Sequence, residues 1–260
     1  MNIKKGDYVT RKSYNNDTTF LVINVKNNIY YLKGVDVRLY ADSYLNDLVK
    51  VKKPVNLNDE KFITEVKDEL LMDRSDFFFL PPKLLHIDGD SSYLERCLNF
   101  YKEANVLAIG KNIEEKNIAS ELPALLEEIK PDIVIITGHD AYYRKKGDIK
   151  DIHNYKNTEN FVKAVNVARK YEKSHEKLVI IAGACQSNYE ELIKAGANFA
   201  SSPKRVNIHA LDPAIIALTL ALTERGKEID LVSMLAKTKY GKDGMGGIKS
   251  TGLMYVGYPR

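Results

Sequence analysis

The chain has 260 residues, with 39 Lys and Arg against 35 Asp and Glu, a net charge of +4 at neutral pH. That length holds one large domain, or a domain of about 200 residues with a small companion, and a core of that size needs neither disulfides nor a structural metal. Two cysteines, Cys97 and Cys185, are too few for a secreted disulfide framework, and the short basic clusters (Lys4-Lys5, Lys52-Lys53, Arg144-Lys145-Lys146) read as solvated faces rather than a nucleic-acid footprint.

The start, Met1 to Asp7, is followed by no apolar signal core. Short strands come next: Lys5 to Thr10 opening on a Gly6-Asp7 turn, Thr18 to Lys26 alternating around Phe20, Val22 and Asn24, and Ile29 to Leu32 after an Asn27-Asn28 turn. Val35 to Tyr40 alternates again and reads as a further strand. Several strands in residues 1–55 predict a small SH3-like β-barrel, a fold that more often binds or positions than catalyses. Residues 56–82 change character and predict a linker, with some helix over Asp59 to Met72 and a stiff Pro81-Pro82 at its end.

From Lys83 strands and helices alternate. The strands are Leu84 to Asp88, Val106 to Ile109, Asp132 to Thr137, Leu178 to Ala182 and a short one near Asn198 to Ala200. The helices are Ser92 to Ala104, Ala119 to Ile129, Thr158 to Tyr171, Tyr189 to Ala195 and the apolar Pro213 to Thr223. Repeated βα units with short apolar strands predict an α/β fold over residues 83–239: a doubly wound, mostly parallel sheet with helices on both faces. No apolar run reaches the roughly 20 residues of a membrane span, so the expectation is a soluble protein made in a cytoplasm. Residues 240–260 are glycine-dense and read as a C-terminal arm, either disordered or able to close over something.

In sheets of this kind, chemistry collects where the strands end. Two strands end in reactive side chains: Ile133-Val134-Ile135-Ile136-Thr137-Gly138-His139-Asp140, and Val179-Ile180-Ile181-Ala182-Gly183-Ala184-Cys185-Gln186-Ser187. A thiol and an imidazole at one sheet edge make a nucleophile and its base. A helix starting near Asn188 would aim its N-terminus at the Cys185 turn, lowering the thiol pKa and offering N–H donors to an oxyanion. Taken singly, Cys185 also reads as a buried apolar cysteine and His139 as a histidine satisfied by a carbonyl; their joint placement favours catalysis. His86, His153, His175 and His209 lack ligand spacing, so no metal is expected. Gly110-Lys111 only faintly resembles a phosphate loop. Ser201 to Arg205 reads as a connecting loop or as part of a substrate cleft.

An apolar block ending in His, then a second ending in Ala-Cys, resembles the caspase-like cysteine peptidases: caspases, metacaspases, clostripain and gingipain. Gly138-His139-Asp140 with Ala182-Gly183-Ala184-Cys185-Gln186-Ser187, behind a small N-terminal β module, more closely resembles the YabG sporulation peptidases of spore-forming Firmicutes, from Lys5 to Arg260. The resemblance implies a caspase-like sheet and a thiol endopeptidase with Cys185 as nucleophile and His139 as base and acid. It places the oxyanion on the backbone N–H groups of Cys185 and Asp140, although most relatives carry Gly at the latter position. It implies cleavage after Arg, with Asp88 as the S1 carboxylate and Asp90 and Asp140 as rivals; Asp88 also reads as a cap or turn residue. Gly183 stands where metacaspases have a second Asp. The implied substrates are coat, cortex or germination precursor proteins of the spore, the implied place of synthesis is the mother cell, with association to the coat, and no cofactor or nucleic acid is required. If the enzyme prefers Arg, Arg74-Ser75 is a self-cleavage site. The rival reading, from another class, is a flavodoxin-like ligand- or nucleotide-binding module with a partner-recruiting barrel and no catalysis.

Overall fold

The computed structural model describes residues 3–52, 64 and 78–258. Most of the linker, including the expected helix over Asp59 to Met72 and the Arg74-Ser75 bond, lies outside the described residues.

Strands β1 (Tyr8–Arg11), β2 (Phe20–Lys26), β3 (Ile29–Gly34), β4 (Tyr40–Tyr44) and β5 (Leu48–Val51) form one antiparallel sheet in the order β4-β3-β2-β1-β5. Asn27 and Asn28 both take positive φ, 51° and 62°, between the paired Lys26 and Ile29. That is the two-residue turn whose twist matches a hairpin, and Asn tolerates it. Val9, Phe20, Val22, Tyr30 and Leu32 turn inward and are buried. The structure departs from the expected strand at Val35 to Tyr40: residues 35–39 are the loop joining β3 to β4. Val37, Arg38 and Leu39 are buried in succession. The alternation misleads here because Val37, Arg38 and Leu39 are covered in succession by the second layer of the protein, not on one face of a sheet.

β6 (Phe78–Leu80) precedes the alternating units β7 (Leu84–Asp88), α1 (Ser91–Glu103), β8 (Ala108–Asn112), α2 (Glu115–Ile129), β9 (Ile133–Thr137), α3 (Thr158–Tyr171), β10 (Val179–Ala182), α4 (Tyr189–Lys194), β11 (Phe199–Ser201) and α5 (Asp212–Leu222). β7, β9 and β10 are buried at every position, as strands covered on both faces must be. Asp90 caps α1 by accepting from Ser92 N and Tyr93 N at 2.9 and 3.3 Å. α5 is apolar all round and fully buried, the mark of a central rather than a surface helix.

The larger sheet runs β12-β11-β10-β9-β7-β8, with β12 (Met245–Gly247) antiparallel at one edge and the rest parallel. α2, α3 and α4 pack on one face; α1, α5, the following helix α6 (Leu231–Ala236) and the inward residues of the N-terminal sheet share a core on the other. The sheet is therefore mostly parallel and flanked by helices. Strand order reverses at β7, so the carboxyl ends of β7 and β9 bound the crevice where such sheets place ligands. The glycine-dense segment is built into the fold: α7 (Gly241–Gly244) leads into β12, and β13 (Tyr255–Gly257) pairs with β6. Glycine is required there for contact rather than mobility, since a Cβ at Gly247 would strike the Phe199 ring and one at Gly257 the Phe78 ring.

Candidate active site

β9 and β10 are neighbours in parallel register, with Ile136 opposite Ala182. His139 and Cys185 each lie three residues beyond that pair, so the chain delivers both to the carboxyl edge of the sheet. Gly138 permits close approach: a Cβ there would sit 2.5 Å from Glu115 Oε1, which instead accepts the His139 backbone N–H at 2.8 Å. Gly183 has φ +104°, and a Cβ on it would collide with the Ser201 hydroxyl. Both glycines thus shape the turns that carry the two reactive side chains.

Asp140 ties the turns together. Its Oδ1 accepts from Ala141 N and Asn157 N, both at 2.8 Å; its Oδ2 accepts from the hydroxyls of Thr158 and, at 2.8 Å, Ser187. Ser187 Oγ in turn accepts from Ala184 N at 3.0 Å. Burial raises the Asp140 pKa, with these bonds pulling the other way. Its side chain is committed to holding the His139 loop against the Cys185 turn. The helix after Cys185, α4, is capped by Asn188, whose Oδ1 accepts from Glu191 N at 3.3 Å.

Cys185 is free of disulfide and fully buried. Ile208 N donates to its sulfur at 3.2 Å, and the sulfur lies 3.5 Å from Ile208 O. The Arg38 main chain also faces the sulfur. Burial pushes the thiol pKa up to about 12. The His139 ring stacks on Tyr40, centroids 4.0 Å apart, and lies 5.2 Å from the Tyr93 ring. Neither ring nitrogen has a hydrogen-bond partner; Nε2 is 3.6 Å from Asp90 Oδ2. Burial lowers the imidazole pKa to about 3 despite the nearby Asp90 and Asp88 charges. In this closed arrangement thiol and imidazole are both neutral at pH 7.

Asp88 lies at the end of β7, across the crevice from the His139 loop. Its Oδ2 accepts from Arg38 Nη1 and from Thr137 Oγ1, the latter at 2.8 Å, and its Oδ1 accepts Asp90 N at 2.9 Å. Burial would raise its pKa, but the Arg38 charge and contact with His86 hold it well below the usual carboxylate range. The Ala210 carbonyl accepts from Arg38 Nε and Nη2 at 3.2 and 2.8 Å, above the Cys97 sulfur 3.7 Å from Nη2. Asp88 and Ala210 therefore form a pocket filled by a guanidinium. Asp90 is spent on the α1 cap and on an ion pair with Lys33.

Ser201 to Arg205 is bonded to the Cys185 turn and to its own surroundings: Ser201 Oγ donates to Ala184 O, and Arg205 binds Glu190 and Tyr155. The stretch just beyond it, Ile208 to Ala210, borders Cys185 and the pocket. Arg38, Tyr40, Tyr93 and Ala210 were not singled out in the sequence; the basic residue within the buried Val37-Arg38-Leu39 triplet is the one local oddity that marks them. Among the described residues no three His, Cys, Asp or Glu side chains converge as a metal site, and no helix is long and apolar enough to cross a membrane.

A thiol and an imidazole on neighbouring strand ends, next to a carboxylate pocket, have the equipment for acyl transfer. That is peptidase chemistry, and comparison with known proteins points the same way. The chain belongs to the YabG peptidase family: the model of the family described as YabG peptidase U57 matches residues 4–74 and 58–259. It is similar to the sporulation-specific protease YabG of Bacillus subtilis (strain 168), with 40% identity over 286 residues that cover 100% of this chain and 99% of that protein.

Proposed function

We propose that this chain is a sporulation-specific cysteine endopeptidase that cuts after Arg, with Cys185 as nucleophile and His139 as general base and acid. The observation that carries the reading is the equal reach of His139 and Cys185 beyond the paired Ile136 and Ala182. With a peptide in the crevice, the Cys185 sulfur attacks the scissile carbonyl as its proton passes to His139. The backbone N–H groups of Cys185 and Asp140 hold the oxyanion. His139 then protonates the leaving amine, and water hydrolyses the thioester.

The pocket beneath the crevice supports arginine as the preferred residue. Asp88 takes one guanidinium nitrogen and the Ala210 carbonyl takes two more. A forked, planar donor satisfies that set; an ammonium does not. The fold reading is a caspase-like sheet behind an SH3-like module. The substrates are coat, cortex or germination precursor proteins, met in the mother cell and at the coat; the likeness to a sporulation protease supports this setting. Membership of a peptidase family weighs against a binding module without catalysis.

The test is a comparison of the wild type and Cys185→Ala on a spore-protein extract, with mapping of new termini. The expected result is new ends following Arg with the wild type and none with the variant, at an unchanged thermal midpoint. New termini produced equally by Cys185→Ala would overturn the assignment of the nucleophile.

A further inference from the structure

The β3–β4 loop crosses the candidate site as a peptide would. Val37 bridges His209 in an antiparallel sense, with Arg38 N donating to Ile208 O at 3.3 Å and Ala210 N to Asp36 O at 3.2 Å. The Arg38 side chain fills the Asp88–Ala210 pocket while its main chain faces Cys185. Leu39 bridges Asp140 in a parallel sense, and Tyr40 stacks on His139. Four consecutive residues thus meet the four parts of the site in order: the cleft wall, the thiol with its pocket, the loop after the imidazole, and the imidazole itself.

We propose that residues 37–40 are a built-in, uncleaved inhibitor, with Arg38 anchored in the guanidinium pocket, that holds this peptidase to a low basal activity. The proposal rests on the reading of Cys185, His139 and Asp88 given above. What separates an inhibitor from a substrate here is backbone shape. Leu39 N donates to Val37 O at 2.8 Å, closing a three-residue turn centred on Arg38. A peptide poised for attack is extended and presents its carbonyl to the sulfur; this loop is folded at that point, and its Arg38 N–H is given to Ile208 O at 3.3 Å. The loop is also held from behind. Tyr93 donates to Gly34 O and, at 3.0 Å, to Val37 O, and Arg96 Nη1 donates to Val35 O at 3.2 Å. A fixed, contorted segment with the preferred side chain in the pocket occupies the crevice without reacting. It also explains why the thiol and the imidazole have no contact with water.

The experiment uses the full chain with Arg38→Ala and with Tyr40→Ala, which leaves the Arg38–Asp88 pair intact. Two signals are read: the rate of Cys185 alkylation by iodoacetamide, assigned by peptide mapping and compared with the wild type, and turnover of an arginyl aminocoumarin substrate. Both are expected to rise at least tenfold in Arg38→Ala and severalfold in Tyr40→Ala. A peptide spanning residues 35–42 should compete with the substrate for the pocket of Arg38→Ala, whereas the same peptide with Ala for Arg should not. Folded variants that label and turn over like the wild type would overturn the proposal. So would wild-type protein found cut between Arg38 and Leu39, which would make the loop a substrate. If Arg38→Ala fails to fold, Tyr40→Ala decides. Turnover that survives Cys185→Ala in the Arg38→Ala background would instead sink the catalytic reading, leaving the alkylation result to judge the loop.

Discussion

Arg38 and Asp88 form an ion pair, 2.5 Å between Nη1 and Oδ2, in which both side chains are wholly shielded from solvent. One partner comes from a hairpin loop of the N-terminal sheet and the other from the end of the first parallel strand. Removing one member of a buried pair generally costs about 3–5 kcal/mol, because the survivor is stranded. The two ends are not equivalent here. Asp88 also serves Thr137 and the Asp90 backbone, so its loss breaks three contacts; truncating Arg38 empties the pocket and leaves space for water to reach Asp88. Asp88→Ala should therefore lose about 3–5 kcal/mol and Arg38→Ala clearly less. Urea unfolding of both variants checks the order, and a larger loss for Arg38→Ala would contradict it.

Specificity separates the acidic residues. Asp88→Asn removes the charge that faces a guanidinium, and the preference for Arg over Gln at the cut position should fall by tenfold or more, about 1.4 kcal/mol. Asp140→Asn leaves the pocket intact and weakens the bonds that hold the two turns together. It should lower turnover and stability, on the order of 1–3 kcal/mol, with the Arg preference unchanged. Rates on a matched peptide series at the two residues distinguish the roles; a changed preference in Asp140→Asn would refute this division.

Acid should loosen the fold before it protonates ordinary carboxylates. His139 stays neutral in the folded chain down to about pH 3, whereas in the unfolded chain it gains a proton near pH 6.5. Between those values the unfolded state binds more protons. The contribution is complete above about pH 6.5 and declines as pH falls toward 3, by at most about 1.4 kcal/mol per pH unit. Buried His86, its pKa also lowered by desolvation, acts in the same direction. Asp88, depressed by Arg38, adds a loss below about pH 4. Urea midpoints at pH 7, 5.5 and 4.5 should fall steadily, and His139→Gln should flatten the slope. An unchanged slope in that variant would mean the imidazole is not held neutral.

Gly183→Ala should be costly for two separable reasons. The φ of +104° disfavours any side chain, by about 1–3 kcal/mol, and the new methyl meets the Ser201 hydroxyl. Ser201→Ala in the same chain removes the second conflict only. The double variant should regain part, not all, of the lost melting temperature; full recovery would show that the backbone there is unstrained.

Much of the fold could be read along the chain because buried parallel strands are short, mostly apolar runs, and β7, β9 and β10 are buried at every position with only His86, Asp88 and Thr137 polar. His139 and Cys185 stood out for the same reason: each follows such a run and a glycine. The sequence places β8 too early, at Val106 to Ile109 rather than Ala108–Asn112, because Gly110-Lys111-Asn112 looks like a turn. It runs on because an edge strand needs pairing on one side only, here with His86 to Asp88. What could not be read was the contribution of the N-terminal sheet. Arg38 bonds to Ala210, 172 residues away, and no local periodicity encodes a contact of that range. An isolated charge in a strand-like pattern reads as an outward side chain; here the outward side faces another layer of protein. The glycine-dense tail misled in a related way, since its glycines serve close packing against Phe78 and Phe199.

The pairing of β6 with β13 sets Phe78 directly opposite Gly257. The stretch 78–258 is thereby a ring whose two ends already touch through main-chain hydrogen bonds. A short peptide linker across that seam would make the closure covalent, and fresh termini could be opened in the exposed turn over residues 144–148 without separating any paired strands. Such a circular permutant would keep the parallel sheet and both reactive turns on one continuous chain.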